Sequence, residues 1–132
     1  MTKKTYPKLN HRILVVKCSC EFSESDAERS RNYFLFEDMA DAEPYLKSTK
    51  YDCVIACIDP TRRDSISDLN KLTALLSDRQ VILAIISISN PRWTAALADH
   101  LSIEYHFQCF PTEEDVKALS NAAERLRAQK DR

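Results

Sequence analysis

There is no glycine anywhere in the 132 residues. That removes every glycine-rich phosphate loop, and with it the dinucleotide and P-loop fingerprints, whose backbone must approach a phosphate with no Cβ in the way. It also leaves the turns to Asn, Asp, Ser and Pro. A dominant charge is missing too. Nineteen Lys and Arg stand against 20 Asp and Glu, a formal net charge of -1, so nothing draws the chain as a whole to nucleic acid. Long apolar runs are absent: the longest, Val81 to Ile86, falls far short of the ~20 residues that span a bilayer. Met1 to Lys8 is polar and basic with no apolar stretch behind it, so no secretory leader is read there. Zinc-ligand spacing is absent as well, because Cys18, Cys20, Cys53, Cys57 and Cys109 stand at C-x-C and C-x3-C intervals. An odd cysteine count without a leader points to reduced thiols in a cytoplasmic protein. His11, His100 and His106 are scattered, with no ligand-like partner at helical spacing. Neither a metal nor a cofactor is expected.

What is present reads as one soluble domain, with 44% hydrophobic and 30% charged residues. Residues 1–11 form a polar lead-in, 12–127 the domain and 128–132 a charged tail. Arg12 to Val16, Asp52 to Ile58 and Val81 to Ser87 are short, continuous apolar runs, the pattern of strands buried on both faces. Tyr33 to Phe36 and Tyr105 to Cys109 are aromatic-rich strands.

Helical segments alternate with these strands. Ser23 to Asn32 is helix-compatible but has a poor apolar stripe. Asp41 can cap a short helix through Ser48, placing Pro44 in its first turn. Ile66, Leu69, Leu72 and Leu76 recur at helical spacing. Asn90-Pro91 reads as cap and first residue of a helix with Trp93, Leu97 and Leu101 on one stripe. Thr112 with Asp115 resembles a capping box that opens a last helix carrying Val116, Leu119, Ala123 and Leu126 on one face. The stretch from Arg125 to Arg132 is charged and expected to fray.

Five strand–helix units in this length predict an α/β fold: a single flavodoxin-like (βα)5 doubly wound parallel sheet with strand order 2-1-3-4-5. Its ligand crevice lies at the carboxyl ends of the strands, where the strand order reverses.

Ile13 to Val16, Tyr51 to Cys57, and Tyr105 to Phe110 followed by Thr112-Glu113-Glu114 resemble, in their order and spacing, the receiver domains of bacterial response regulators. The resemblance covers roughly residues 12–127. It implies Mg2+-assisted phosphoryl transfer to an aspartate. Hard oxygen ligands hold the metal, a carboxylate is the nucleophile and cations offset the transferring charge. Carried over position by position, the metal-holding acidic pair falls on Lys17 and Cys18. The acceptor falls on Cys57, the hydroxyl on Ser87 and the lysine on Gln108. Only the hydroxyl survives, with the switch aromatic at Tyr105. A two-residue slip would make Asp59 the acceptor, but the metal ligands would still be missing.

The expectation is therefore a degenerate pseudo-receiver: no enzyme, acting by phosphorylation-independent contact in two-component signalling. Its partner would be a kinase, effector or regulator, with no nucleic acid and no membrane. A homodimer through the face of the fourth helix, fifth strand and fifth helix is also expected from the resemblance. Trp93, His100 and Tyr105 would lie on that face, Trp93 and Tyr105 being anchor types. In the blander alternative Trp93 packs on the sheet. Lys17 near Asp59 and Ser87 would form an ion pair that holds the domain in one state.

An alternative is a thiol-based redox or soft-metal sensor. Cys18, Cys57 and Cys109 end the first, third and fifth strands, so they would meet at one sheet edge, with Lys17 lowering a thiol pKa. Cysteine as an apolar space-filler is the plainer reading. A phosphatase of this fold is excluded. It needs arginine six residues after its cysteine, where Cys18 and Cys20 are followed by Glu24 and Asp26. Arg62-Arg63 reads as solvated loop charge, and Glu113-Glu114-Asp115 as an acidic first helical turn.

Overall fold

A computed structural model describes residues 12–87 and 91–130. The lead-in 1–11, His11 within it, Asn90 and residues 131–132 lie outside the described residues. Five strands form one parallel sheet in the order β2-β1-β3-β4-β5. They are β1 (Ile13–Lys17), β2 (Phe34–Phe36), β3 (Cys53–Ile58), β4 (Ile82–Ser87) and β5 (Tyr105–Phe107). Between and after them run α1 (Glu24–Ser30), α2 (Met39–Ser48), α3 (Arg63–Leu76), α4 (Thr94–His100) and α5 (Glu113–Lys130). This is the flavodoxin-like doubly wound architecture expected from the alternation of buried strands and helices.

The apolar runs are continuous because both sheet faces are covered. Leu14, Val16, Val54, Ala56, Ile58 and Ile85 pack one way, against Ala42 and Leu46 of α2, Leu69, Leu72 and Leu76 of α3, and Ala98 of α4. Ile13, Val15, Cys53, Ile55, Cys57, Ala84 and Ile86 pack the other way, against Val116 and Leu119 of α5. On that second face α1 (E-S-D-A-E-R-S) buries only Ser30. Its place is taken by aromatic residues from the loops. Phe110 stacks against Tyr33 and meets Phe22 edge-on, and the Tyr33 hydroxyl donates to the Pro111 carbonyl.

Chain ends and caps follow from local chemistry. Ser23 caps α1 by accepting the Asp26 N–H at 3.2 Å. Thr112 and Asp115 form the reciprocal box expected at the start of α5. The Thr112 N–H donates to Asp115 Oδ2 at 3.0 Å and the Asp115 N–H to Thr112 Oγ1 at 3.5 Å. With glycine absent, the described residues place serines in the left-handed region, Ser19 (φ 48°) and Ser102 (φ 56°). At Ser102 this closes a Schellman motif on α4. The Ile103 N–H donates to the Ala98 carbonyl at 2.7 Å and the Ser102 N–H to the Asp99 carbonyl at 3.2 Å.

Four local expectations need correction. The cap of α2 is Asp38, which accepts the Asp41 N–H at 2.7 Å. The helix therefore starts before Asp41, and Pro44 sits in its interior. The bond that Pro44 cannot donate would go to the carbonyl of Ala40, an exposed residue open to water. Trp93 does not share a buried stripe with Leu97 and Leu101. It ends a 3-10 turn, Pro91–Trp93, and is 61% exposed, while Thr94 and Ala98 are the buried residues of α4. Strand β5 ends at Phe107, leaving Gln108 and Cys109 exposed beyond it. Helix α5 runs to Lys130, through the stretch expected to fray. Leu, Ala, Gln, Arg and Lys favour helix there, and Arg127 is held by an ion pair to Asp52.

That ion pair belongs to a staple at the amino edge of the sheet. Arg12 grips Asp52 through Nε and Nη2, both at 2.9 Å, and Arg127 pairs with the same carboxylate. It joins the starts of β1 and β3 to the end of α5. These hydrogen bonds, Arg12's first, hold the Asp52 carboxyl below its ordinary value despite its burial.

Candidate functional site

The strand order reverses between β1 and β3, so the crevice of this fold class lies at the carboxyl ends of those two strands. Lys17 and Cys57 are register partners there. One backbone oxygen organises the corner. The carbonyl of Cys57 accepts the Cys18 N–H at 2.9 Å and the Cys20 thiol at 3.1 Å. The loop after β1 is thus folded back onto the end of β3.

The chemistry of this corner is soft and largely dry. Cys57 and Cys18 are fully buried and Cys20 nearly so. They divide between the two faces of the sheet, Cys18 toward α2 and α3, Cys20 and Cys57 toward α5. Burial pushes the Cys18 and Cys57 thiols far up. Cys20 is pushed up to about 11, because burial outweighs the downward pull of Lys17. The activation expected from that lysine is therefore overridden by desolvation. Cys109 is exposed in the segment after β5. Among the described residues no group of three or more His, Cys, Asp or Glu side chains is placed to hold a metal ion.

Lys17 makes a different pair from the one expected. Its Nζ lies 3.6 Å from Glu37 Oε2, just past the end of β2, and 4.6 Å from the centroid of the Phe22 ring. Asp59 is engaged locally. Its carboxylate accepts the Thr61 N–H at 3.0 Å and the Thr61 hydroxyl at 2.6 Å, and its own N–H donates to the Ser65 hydroxyl at 2.8 Å. Such an Asx turn explains the Asp59-Pro60-Thr61 sequence without phosphoryl chemistry.

Ser87 ends β4 fully buried. Among the described residues its Oγ has no hydrogen-bond partner, and neither has Oγ1 of the buried Thr94 on α4. Gln108 is exposed past the end of β5. On the far side of the sheet the expected interaction residues are accessible to different degrees: Trp93 and His100 are exposed and Tyr105 half-buried.

Glu37 and Phe22, which hold Lys17, carried no signal in the sequence. Each is near Lys17 only because β2 pairs with β1 and the loop after β1 folds back. Thr94 was hidden by its neighbour Trp93, the residue type expected inside. No family model, no curated protein and no solved structure matches this chain. Among the described residues no helix is long and apolar enough to cross a membrane.

Proposed function

We propose that this chain is a receiver-like signalling module that does not use phosphorylation and acts by protein–protein contact. One observation carries the reading: the composition of the corner between β1 and β3. In the alignment that the resemblance implies, the acceptor carboxylate of a receiver falls on Cys57 and its metal-holding carboxylates on Lys17 and Cys18; Cys57 is a buried thiol and the register partner of Lys17. A hard divalent cation gains nothing from an ammonium and a protonated thiol. Gln108 in place of the phosphoryl-binding lysine fits the same reading.

With the chemistry gone, what such a domain offers is surface. Trp93, 61% exposed and beside the exposed Arg92, is a large apolar side chain left in water at the start of α4, and His100 is exposed at the helix's other end. That is the residue type that anchors protein interfaces. The partner would be a kinase, effector or regulator of a cytoplasmic bacterial two-component pathway, or a second copy pairing through α4, β5 and α5. The thiol-sensor reading is weaker, because burial keeps Cys18, Cys20 and Cys57 protonated. The experiment is incubation with Mg2+ and a small phosphoryl donor, read by intact mass, and the proposal requires no adduct.

A further inference from the structure

The sequence and the packing disagree about which face of α4 belongs inside. Trp93, Leu97 and Leu101 form one apolar stripe at helical spacing. The structure buries the next line round the helix instead. Thr94 and Ala98 are inside, Trp93 is exposed, and Leu97 and Leu101 are half-buried.

The buried line is poorly satisfied. Among the described residues Thr94 Oγ1 and Ser87 Oγ have no hydrogen-bond partner, although both side chains are fully buried. Ser87 follows Ile85 by two positions and so shares its face of β4. That is the face on which Ala98 of α4 packs. Both hydroxyls therefore lie in the layer between the sheet and α4, and they do not bond each other. A hydroxyl shut away from water without a partner is costly. An indole left in water forgoes the gain of burial. The present orientation of α4 carries both costs, a conflict between local pattern and tertiary packing.

Little fixes that orientation. Helix α4 has seven residues, and its N-cap position is Trp93, which makes no side-chain cap bond. So short a helix takes its stability from packing. The 3-10 turn Pro91–Trp93 leads into it, a form common where helices begin or hinge. A groove of about 280 Å³, with Leu76, Leu83, Leu101 and Ile103 among its walls, leaves room at the carboxyl end of α4 for larger side chains.

We propose that α4 is a two-state helix. In the second state it is turned by about 100°, one residue's step round the axis. Trp93 and Leu97 then face the sheet, and Thr94 and Ala98 turn away, so that the Thr94 hydroxyl reaches water. The indole N–H, a donor only, enters the layer that holds Ser87 Oγ, an acceptor. The Trp93 surface exists only in the first state, so a partner binding through Trp93 would hold α4 there. That consequence rests on the proposed interaction role of Trp93; the rotation itself does not.

The test is NMR relaxation dispersion of backbone amides and the Trp93 indole N–H, on the full chain alone at two protein concentrations. Exchange is expected at Ser87, along α4 and at the indole, with the second state populated at about 1–10% and independent of concentration. Thr94→Val keeps the shape and deletes the hydroxyl, and should lower that population at least about fivefold. Trp93→Ala should abolish the exchange. The proposal is overturned if α4 shows no exchange, if the exchange scales with protein concentration as self-association would, or if Thr94→Val leaves the population unchanged. Should Thr94→Val fail to fold, Ser87→Ala decides. It removes the acceptor of the second state and should lower the population; an unchanged or higher one overturns the rotation.

Discussion

Lys17 and Cys57 stand side by side as register partners at the ends of the two central strands, an ammonium beside a thiol at full burial. Their surroundings treat them oppositely. Lys17 turns outward to Phe22 and Glu37. The Cys57 thiol packs into the core beneath α5, and its carbonyl pins the loop after β1. Among the described residues no group of three or more His, Cys, Asp or Glu side chains is placed to hold a metal ion, which supports the proposed reading of this corner as structural.

Two arginines converge on the Asp52 carboxylate, whose side chain is only 10% exposed. Asp52→Asn should therefore cost about 1.5–3 kcal/mol in urea unfolding, the range for hydrogen bonds to charged groups. The sign with pH follows from its lowered pKa. The contribution is full above the ordinary value of 3.8 and is lost as pH falls from there through the lower folded value. Wild type should lose stability across that acid window, and Asp52→Asn should lose less. Equal acid slopes in the two proteins would mean the staple contributes nothing.

Ser102 occupies the left-handed position that closes α4, with φ 56°. A side chain there costs energy that glycine avoids, and the Schellman bonds use only backbone. Ser102→Gly should raise stability by about 0.5–1 kcal/mol, net of the extra freedom glycine gives the unfolded chain. A destabilised variant in thermal unfolding would show that the Ser102 side chain contributes more than its strain costs.

Thiol accessibility separates the packing role of the cysteines from a sensor role. Four of the five are buried and Cys109 is exposed. Burial raises Cys20 to about 11 and the other buried thiols further. A disulfide reagent at neutral pH should modify Cys109 quickly and the other four only after unfolding. Rapid native modification of Cys18, Cys20 or Cys57, mapped by peptide mass, would revive the sensor reading.

Much of the fold was legible because its signals are local and repeated. The runs at Arg12–Val16, Asp52–Ile58 and Val81–Ser87 read as strands covered on both sides, and parallel order followed from the helices between them. The Thr112–Asp115 box marked its helix start. The start of α2 was displaced because Asp38 and Asp41 are equally good caps and only tertiary contact chooses between them. The candidate site was less legible. Cys18 and Cys57 were expected to end their strands side by side, but Cys18 lies one residue past the end of β1 and Cys57 one residue before the end of β3, so period-two alternation sends them to opposite faces, and the early end of β5 leaves Cys109 apart. The Asp52 staple joins residues 40 and 75 positions apart in sequence, a distance over which spacing carries no information.

Trp93 tests the interaction surface. Because it is 61% exposed, Trp93→Ala should change stability by no more than about 0.5 kcal/mol, and iodide should quench its fluorescence readily. At an interface the same substitution should cost about 2 kcal/mol or more of binding, read for a second copy by sedimentation equilibrium. A large loss of stability would place Trp93 in the core instead.

The most direct test of the account is the intact mass of the native chain after incubation with Mg2+ and a small phosphoryl donor, read before an acid-labile adduct can hydrolyse. A domain that does transfer phosphoryl groups serves as the positive control. With Lys17, Cys18 and Cys57 at the reacting corner, the mass should not change. A stoichiometric phosphoryl adduct, mapped to Asp59 or Cys57, would contradict the account and make this domain a working switch.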